Sequence, residues 1–258
     1  MNPIARTGRA VLSFLSELGG IVMLLFRVVK YIPRAFKDRK IIFEQMSLIG
    51  ADSLPLVILI GSFTGAIAAL QATLLFEKFN LINITRPFLG ASIGTAVFTE
   101  LTPVLTALVI AGRVGGAMAA QIGTMNVSEQ IDALEMMAID KNRFLAMPRV
   151  LAAMMMMPVL AIFSNVVALV GAYILTAFKH DFTAYEFFNS IYTYFKAWEI
   201  NVGLTKSLLF GLVTALIGCY VGFSTRGGAE GVGNSTVKAF TLTAASILVI
   251  DALFGYVV

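Results

Sequence analysis

Of the 258 residues, 58% are hydrophobic and only 13% charged, with a formal net charge of +4, where soluble domains carry about 25% charge. A water-soluble fold of this length cannot hide so much apolar surface, so the composition excludes an ordinary soluble domain and predicts helices that bury apolar faces in lipid. A single cysteine and a single histidine leave no disulfide framework and no metal-ligand set.

Residues 1–48 are not apolar enough to read as a span. The stretch 10–26 is short, is interrupted by Ser13, Ser16, Glu17, Gly19 and Gly20, and runs directly into Arg27. Apolar residues at 11, 14, 15, 18, 22, 25, 26, 29 and 32 keep the helical period, while Arg9, Ser13, Ser16, Gly20, Arg27 and Arg34 group on the other side. That pattern predicts an amphipathic helix lying in the membrane interface. Five apolar runs follow, each long enough to cross about 30 Å of hydrocarbon as helix. They cover residues 54–76, 88–112, 150–178, 202–223 and 239–258, and the third has 29 consecutive residues without a charge. Three carry one ionisable residue each: Glu100, Lys206 and Asp251. At 1.5 Å of rise per residue, all three fall in the outer half of the membrane, with Glu100 roughly 15 Å from the outer end of its run. A lone charge at such depth is costly, so Lys206 is expected to pair with one or both acids. Cys219 reads as a small packing residue in the fourth run, and His180 as a wet residue at the outer end of the third.

Eight Lys and Arg lie in residues 1–48, four in the loop 113–149 and two in the loop 225–238. By the positive-inside rule these mark the cytoplasmic side, which puts the N-terminus inside and the C-terminus outside. The basic residues flank apolar runs and form no aromatic-interleaved patch, so nucleic acid is not an expected partner. Spacings Gly61/Gly65, Gly90/Gly94, Gly112/Gly116 and Gly218/Gly222 allow helix backbones to approach closely, within the chain or across a dimer.

The inner loop between the second and third runs contains NVSEQIDALEMMAIDKNR, residues 126–143. Asn126 followed by Glu129 is a helix-start pattern, and Ile131, Leu134 and Ala138 then share a face. Its acids, Glu129, Asp132, Glu135 and Asp140, should be repelled by an anionic leaflet, so the helix suits a protein partner. The glycine-rich 227–233 reads as a turn between the fourth and fifth runs. It lacks the preceding strand and the GxxxxGK[ST] pattern of a phosphate loop.

Three stretches resemble one family: QMSLIGADSLPLVILIGSFTGAIAALQ at 45–71, EQIDALEMMAID at 129–140 with PRVLA at 148–152, and GFSTRGGAEGVGNSTVKAF at 222–240. These are similar to MlaE-type permeases, the membrane subunits of ABC transporters that move phospholipid between the two membranes of a diderm envelope. The resemblance implies an all-α integral membrane protein: an N-terminal interfacial segment over 1–48, then a five-span permease domain over 49–258. It places a short cytoplasmic coupling helix at about 127–140, with Glu129, Gln130, Asp132, Leu134 and Glu135 facing the ATPase. It further implies a homodimer in the inner membrane, no catalysis in this chain, and ATP on a separate ATPase subunit. The other implied partners are a cytoplasmic STAS-domain protein and a periplasmic MCE-domain protein. Phospholipid acyl chains would lie against residues such as Leu70, Leu74 and Leu75 in an outward-opening cavity. No cofactor or metal is expected in this chain. The competing reading is an ion-coupled secondary carrier that uses Glu100 and Asp251 as a proton relay.

Overall fold

The computed structural model describes residues 3–79 and 85–257, with the backbone alone at 3–11, 14 and 257. Among the described residues all regular structure is helical. Five helical stretches are long and apolar enough to cross a membrane: Arg39–Lys78, Arg86–Val127, Asn142–His180, Ala197–Phe223 and Gly228–Tyr256. We number the helices α1 (Pro3–Tyr31), α2 (Arg39–Gly50), α3 (Leu54–Lys78), α4 (Leu89–Ala96), α5 (Thr102–Ile110), α6 (Gly116–Val127), α7 (Gln130–Met136), α8 (Met147–His180), α9 (Ala184–Tyr194), α10 (Ala197–Phe223) and α11 (Gly228–Val257).

The spans outrun the apolar signals that announce them. The first joins α2 to α3 through the tight turn Ala51–Ser53, with Pro55 in the first turn of α3, where its missing N–H costs nothing. The second is broken by π-helical turns at Val97–Leu101 and Ala111–Gly115, and the third opens on another at Asn142–Ala146. The fifth begins at Gly228, not near residue 239. Only Ser224–Gly227 make the turn before it, with Gly227 at φ +92° and Gly228 at φ +70°, a backbone that glycine adopts without strain. The glycine-rich stretch expected to form the whole turn is thus mostly the opening of α11. Helix α9 has no counterpart in the hydropathy reading. It starts on a capping box in which the Glu186 N–H donates to Thr183 Oγ1 and the Thr183 N–H donates to Glu186 Oε2.

The chain divides into two compact units. One comprises residues up to Gln45, Ala111–Ala153 and Leu212–Ala244; the other comprises Met46–Ile110, Met154–Gly211 and residues from Ala245 onward.

In the first unit, α1 buries Leu24 and Val28 while Leu15, Val22 and Phe26 stay exposed. Gly20 lies against the ring of Tyr220, where a methyl group would collide. Of the side that the sequence marks as small and polar, Gly20 packs on protein while Ser13, Ser16, Arg27 and Arg34 are exposed, and the helix is buried along the neighbouring stripe of Leu24 and Val28. Expectations for Arg9, Val11 and Phe14 fall outside the described side chains. Gly218 and Gly222 face Gly115 and Ile122 at similar range, around the core of Ala119, Ile217, Val221 and Ala239.

The second unit is built on backbone approach. A methyl at Gly65 would overlap the Ala168 carbonyl, one at Gly61 would crowd Ser164, and one at Gly171 would strike the Ser62 carbonyl. The first and third spans thus meet without side chains between them, which is how helices gain contact in lipid. The glycine pairs Gly61/Gly65 and Gly218/Gly222 make contacts within the chain. Gly90 does the same beneath the Phe187 carbonyl of α9, and Ser190 Oγ accepts the Ala91 N–H at 3.1 Å, capping an otherwise unpaired first-turn donor of α4. Leu89, Ile93, Ala168, Ala172 and Phe187 form the core there.

Candidate functional site: a loop helix and an intramembrane charge cluster

Within the first unit, α7 is a seven-residue helix between α6 and the third span. The anticipated helix-start pairing does not form. Asn126 lies inside α6 and its Nδ2 donates to the Thr225 carbonyl at 2.9 Å, while Glu129 adopts a left-handed φ of 59° and caps nothing with its side chain. The chain needs a sharp reversal after α6, and a left-handed residue provides it more compactly than a side-chain cap. Ile131, 1% exposed, anchors the helix, and Leu134 is half-buried. Glu129, Gln130 and Asp132 are exposed, and Glu135 is half-exposed while bonding Lys141 Nζ at 2.9 Å. Ala138, expected on the buried face, is exposed, because its own left-handed φ of 58° ends the helix.

The loop is fastened behind α7. Asp140 accepts hydrogen bonds from Tyr31 Oη at 2.7 Å and from the Asn142 N–H at 2.7 Å, and Asp38 takes a two-point bond from Arg143 at 3.0 Å each. Burial works against the charged form of Asp140, but the bonds from Tyr31, Asn142 and Arg143 outweigh it and hold the carboxyl below its ordinary range. Asp140 is therefore a clasp, and the acids left at the surface of the loop are Glu129, Asp132 and Glu135. Beside them stand Met136, 89% exposed, and Met137, 63% exposed. Sequence reasoning passed these two over, although a methionine pair directly after a row of acids is itself an uncommon surface signal.

Within the second unit, Lys206 Nζ donates to Glu100 Oε1 at 2.8 Å and to Asp251 Oδ1 at 2.9 Å. The lysine is 1% exposed, the Glu100 side chain 47% and that of Asp251 21%. Local backbone explains the meeting. Glu100 sits on the π-helical turn Val97–Leu101, whose extra residue re-aims side chains. Gly203, one turn before Lys206, lies under the Phe98 carbonyl where any side chain would collide, so the second and fourth spans close to backbone contact there. Thr95 Oγ1 donates to Glu199 Oε2 at 2.7 Å along the same seam.

Leu70 and Leu74 are exposed one helical turn apart on α3, with Leu75 beside them, while Ala69 and Thr73 on the opposite side are fully buried. His180 contacts Glu77 at 3.4 Å and Lys179 bonds the same carboxylate at 3.1 Å, tying the ends of the first and third spans. Cys219 is buried and free. No group of three or more His, Cys, Asp or Glu gathers among the described residues.

Five helices long and apolar enough to cross a bilayer define a multi-pass membrane protein. The chain belongs to the MlaE permease family, whose pattern matches residues 42–257. It is 34% identical over 257 residues to a probable ABC transporter permease protein of Rickettsia felis, covering 98% of this chain and 96% of the relative. A probable ABC transporter permease protein of Synechocystis is 36% identical over 212 residues, covering 82% and 79%. An Arabidopsis thaliana relative named protein trigalactosyldiacylglycerol 1, chloroplastic, is 32% identical over 208 residues, covering 81% and 58%. The chain is accordingly a membrane-embedded ABC permease, the non-catalytic subunit that works with an ATPase.

Proposed function

We propose that this permease moves phospholipid between the inner and outer membranes of a diderm envelope, driven by ATP bound on a separate ATPase. The observation that carries the coupling half of this reading is α7. It is the short helix outside the spans that is anchored by Ile131 and backed by the Asp140 clasp, and it presents Glu129, Asp132, Glu135 and the Met136/Met137 pair outward. An exposed methionine pair ringed by acids offers an apolar plug with a charged rim, the make-up of a protein-docking surface. Support for lipid as cargo comes from the family and from the plant relative, whose name is that of a glycerolipid. The outward leucines Leu70, Leu74 and Leu75 would supply acyl-chain contact in a homodimer whose cavity opens outward. ATP-driven closure of that cavity would expel the lipid.

The distribution of Lys and Arg supports a cytoplasmic N-terminus, with α1 in the interface, and a C-terminus on the opposite side, and the resemblance adds an inner-membrane location, a STAS-domain protein on the inside and an MCE-domain protein on the outside. The carrier alternative has less to stand on, since Glu100 and Asp251 both spend an oxygen on Lys206 and the relatives are named as ABC permeases. The test is purification of the tagged chain from its native envelope. An ATP-binding-cassette subunit should accompany it in fixed ratio, and ATP hydrolysis should be lost when that subunit is stripped away. A chain that purifies without any such subunit and still transports would overturn the reading.

A further inference from the structure

The GFSTRGGAEGVGNSTVKAF stretch plays no part in the coupling helix, yet its residues line a cavity of about 380 Å³ within the first unit, together with Glu17 of α1 and Tyr220 of α10. That volume lies in the range of small-ligand sites, about 300–1,000 Å³. The chemistry of its lining is one-sided. Glu17, its only carboxylate, is already bonded by Lys238 Nζ at 2.6 Å. The Arg226 guanidinium, the Asn234 amide and the Tyr220 hydroxyl have no hydrogen-bond or ion-pair partner among the described residues, and all three line the cavity. Donors therefore outnumber acceptors, and one cation lacks a counter-ion. The turn that carries Arg226 is held in place: a side chain at Gly231 would collide with the Arg226 carbonyl, and Gly227 takes a positive φ of 92°.

The place in the fold narrows the ligand further. The apolar run of α11 begins only at Ala239, so the cavity, lined by Asn234, Ser235 and Lys238 just before it, lies at the level where α11 enters the hydrocarbon. A donor-rich cavity at that level meets the phosphate groups of the surrounding lipid. We infer that this cavity, built by Arg226, Asn234, Tyr220 and Lys238, binds the phosphate of a glycerophospholipid headgroup at the membrane surface. Recognition runs through side-chain donors, with Arg226 making charge-assisted bonds. It does not use a glycine-rich amide cradle, which is why a search for a phosphate loop misses it. The inference goes beyond the transport proposal and does not rest on it, since binding needs neither ATP nor a partner.

Native mass spectrometry of the purified full-length chain in detergent tests it with four probes: phosphatidylglycerol, diacylglycerol of the same acyl chains, glycerol 3-phosphate and inorganic phosphate. Phosphatidylglycerol should bind and diacylglycerol should not compete. In Arg226→Gln/Asn234→Leu, one phosphatidylglycerol-binding step should weaken about tenfold or more, the effect of losing charge-assisted hydrogen bonds, while lipid bound elsewhere on the chain is kept. Arg226→Lys, which keeps the charge, should retain most of it. If the double variant elutes as an aggregate, Arg226→Gln alone, on an exposed turn, gives the same reading. Equal binding of phosphatidylglycerol to wild type and variant, or equal binding of diacylglycerol, would overturn the site. Saturation by inorganic phosphate or glycerol 3-phosphate with no retention of phosphatidylglycerol would overturn the lipid as its source.

Discussion

Lys206 is the residue on which the second unit has most to lose. Its ammonium is buried and divided between two carboxylates at 2.8 and 2.9 Å, so truncation strands two acids at membrane depth. Breaking such a pair from one side costs about 3–5 kcal/mol, whereas replacing the whole group by apolar residues of similar size is often neutral. Lys206→Ala should therefore lower the unfolding midpoint in detergent sharply, and Glu100→Leu/Lys206→Met/Asp251→Leu should recover most of the loss. A harmless Lys206→Ala would show that the cluster carries no stability, and a stable triple variant that moves no lipid would assign it to transport. Asp140 offers a second test, through pH. Its folded carboxyl is held below the ordinary range, so the stability it adds is present above the unfolded value near 3.9 and lost as pH falls through the lower folded value. The stability gap between wild type and Asp140→Ala should be full at pH 7 and shrink below about pH 4. A gap that grew on acidification would contradict the clasp. The intramembrane charges were legible in the sequence because each interrupts an apolar run at similar depth. The Asp140–Tyr31 and Asp38–Arg143 bonds were not, since their partners are over a hundred residues apart and nothing local marks them.

At the scale of elements, hydropathy found the five spans because a run of twenty apolar residues has few other homes. It missed their ends. α2 is amphipathic and α11 opens through glycines of poor helix propensity, so neither raises average hydropathy, and the opening of α11 packs through tertiary contact such as Gly116 against Thr236. α9 was hidden for the same reason, although Thr183-x-x-Glu186 spelled its capping box. In the loop, the helix was legible but its start was not, because the Asn126/Glu129 pattern yields to the reversal at Glu129. Charge reversal at Glu129, Asp132 and Glu135 to Lys should leave the spans folded, as none of the three is buried, while cutting recovery of the ATPase at least tenfold. Adding Met136→Asp should abolish what remains. Normal recovery of the ATPase in the combined variant would mean that α7 is a solvated loop and that coupling runs elsewhere.

The whole molecule is a member of the MlaE permease family, and its proposed cargo and energy source are phospholipid and ATP on a partner subunit. The most direct measurement is transfer of labelled phospholipid out of proteoliposomes that hold the chain together with its copurified ATPase. Transfer should require ATP hydrolysis, persist when proton and sodium gradients are collapsed, and be absent when the chain is reconstituted alone. Transfer that ignores ATP and follows an imposed ion gradient would contradict the proposal.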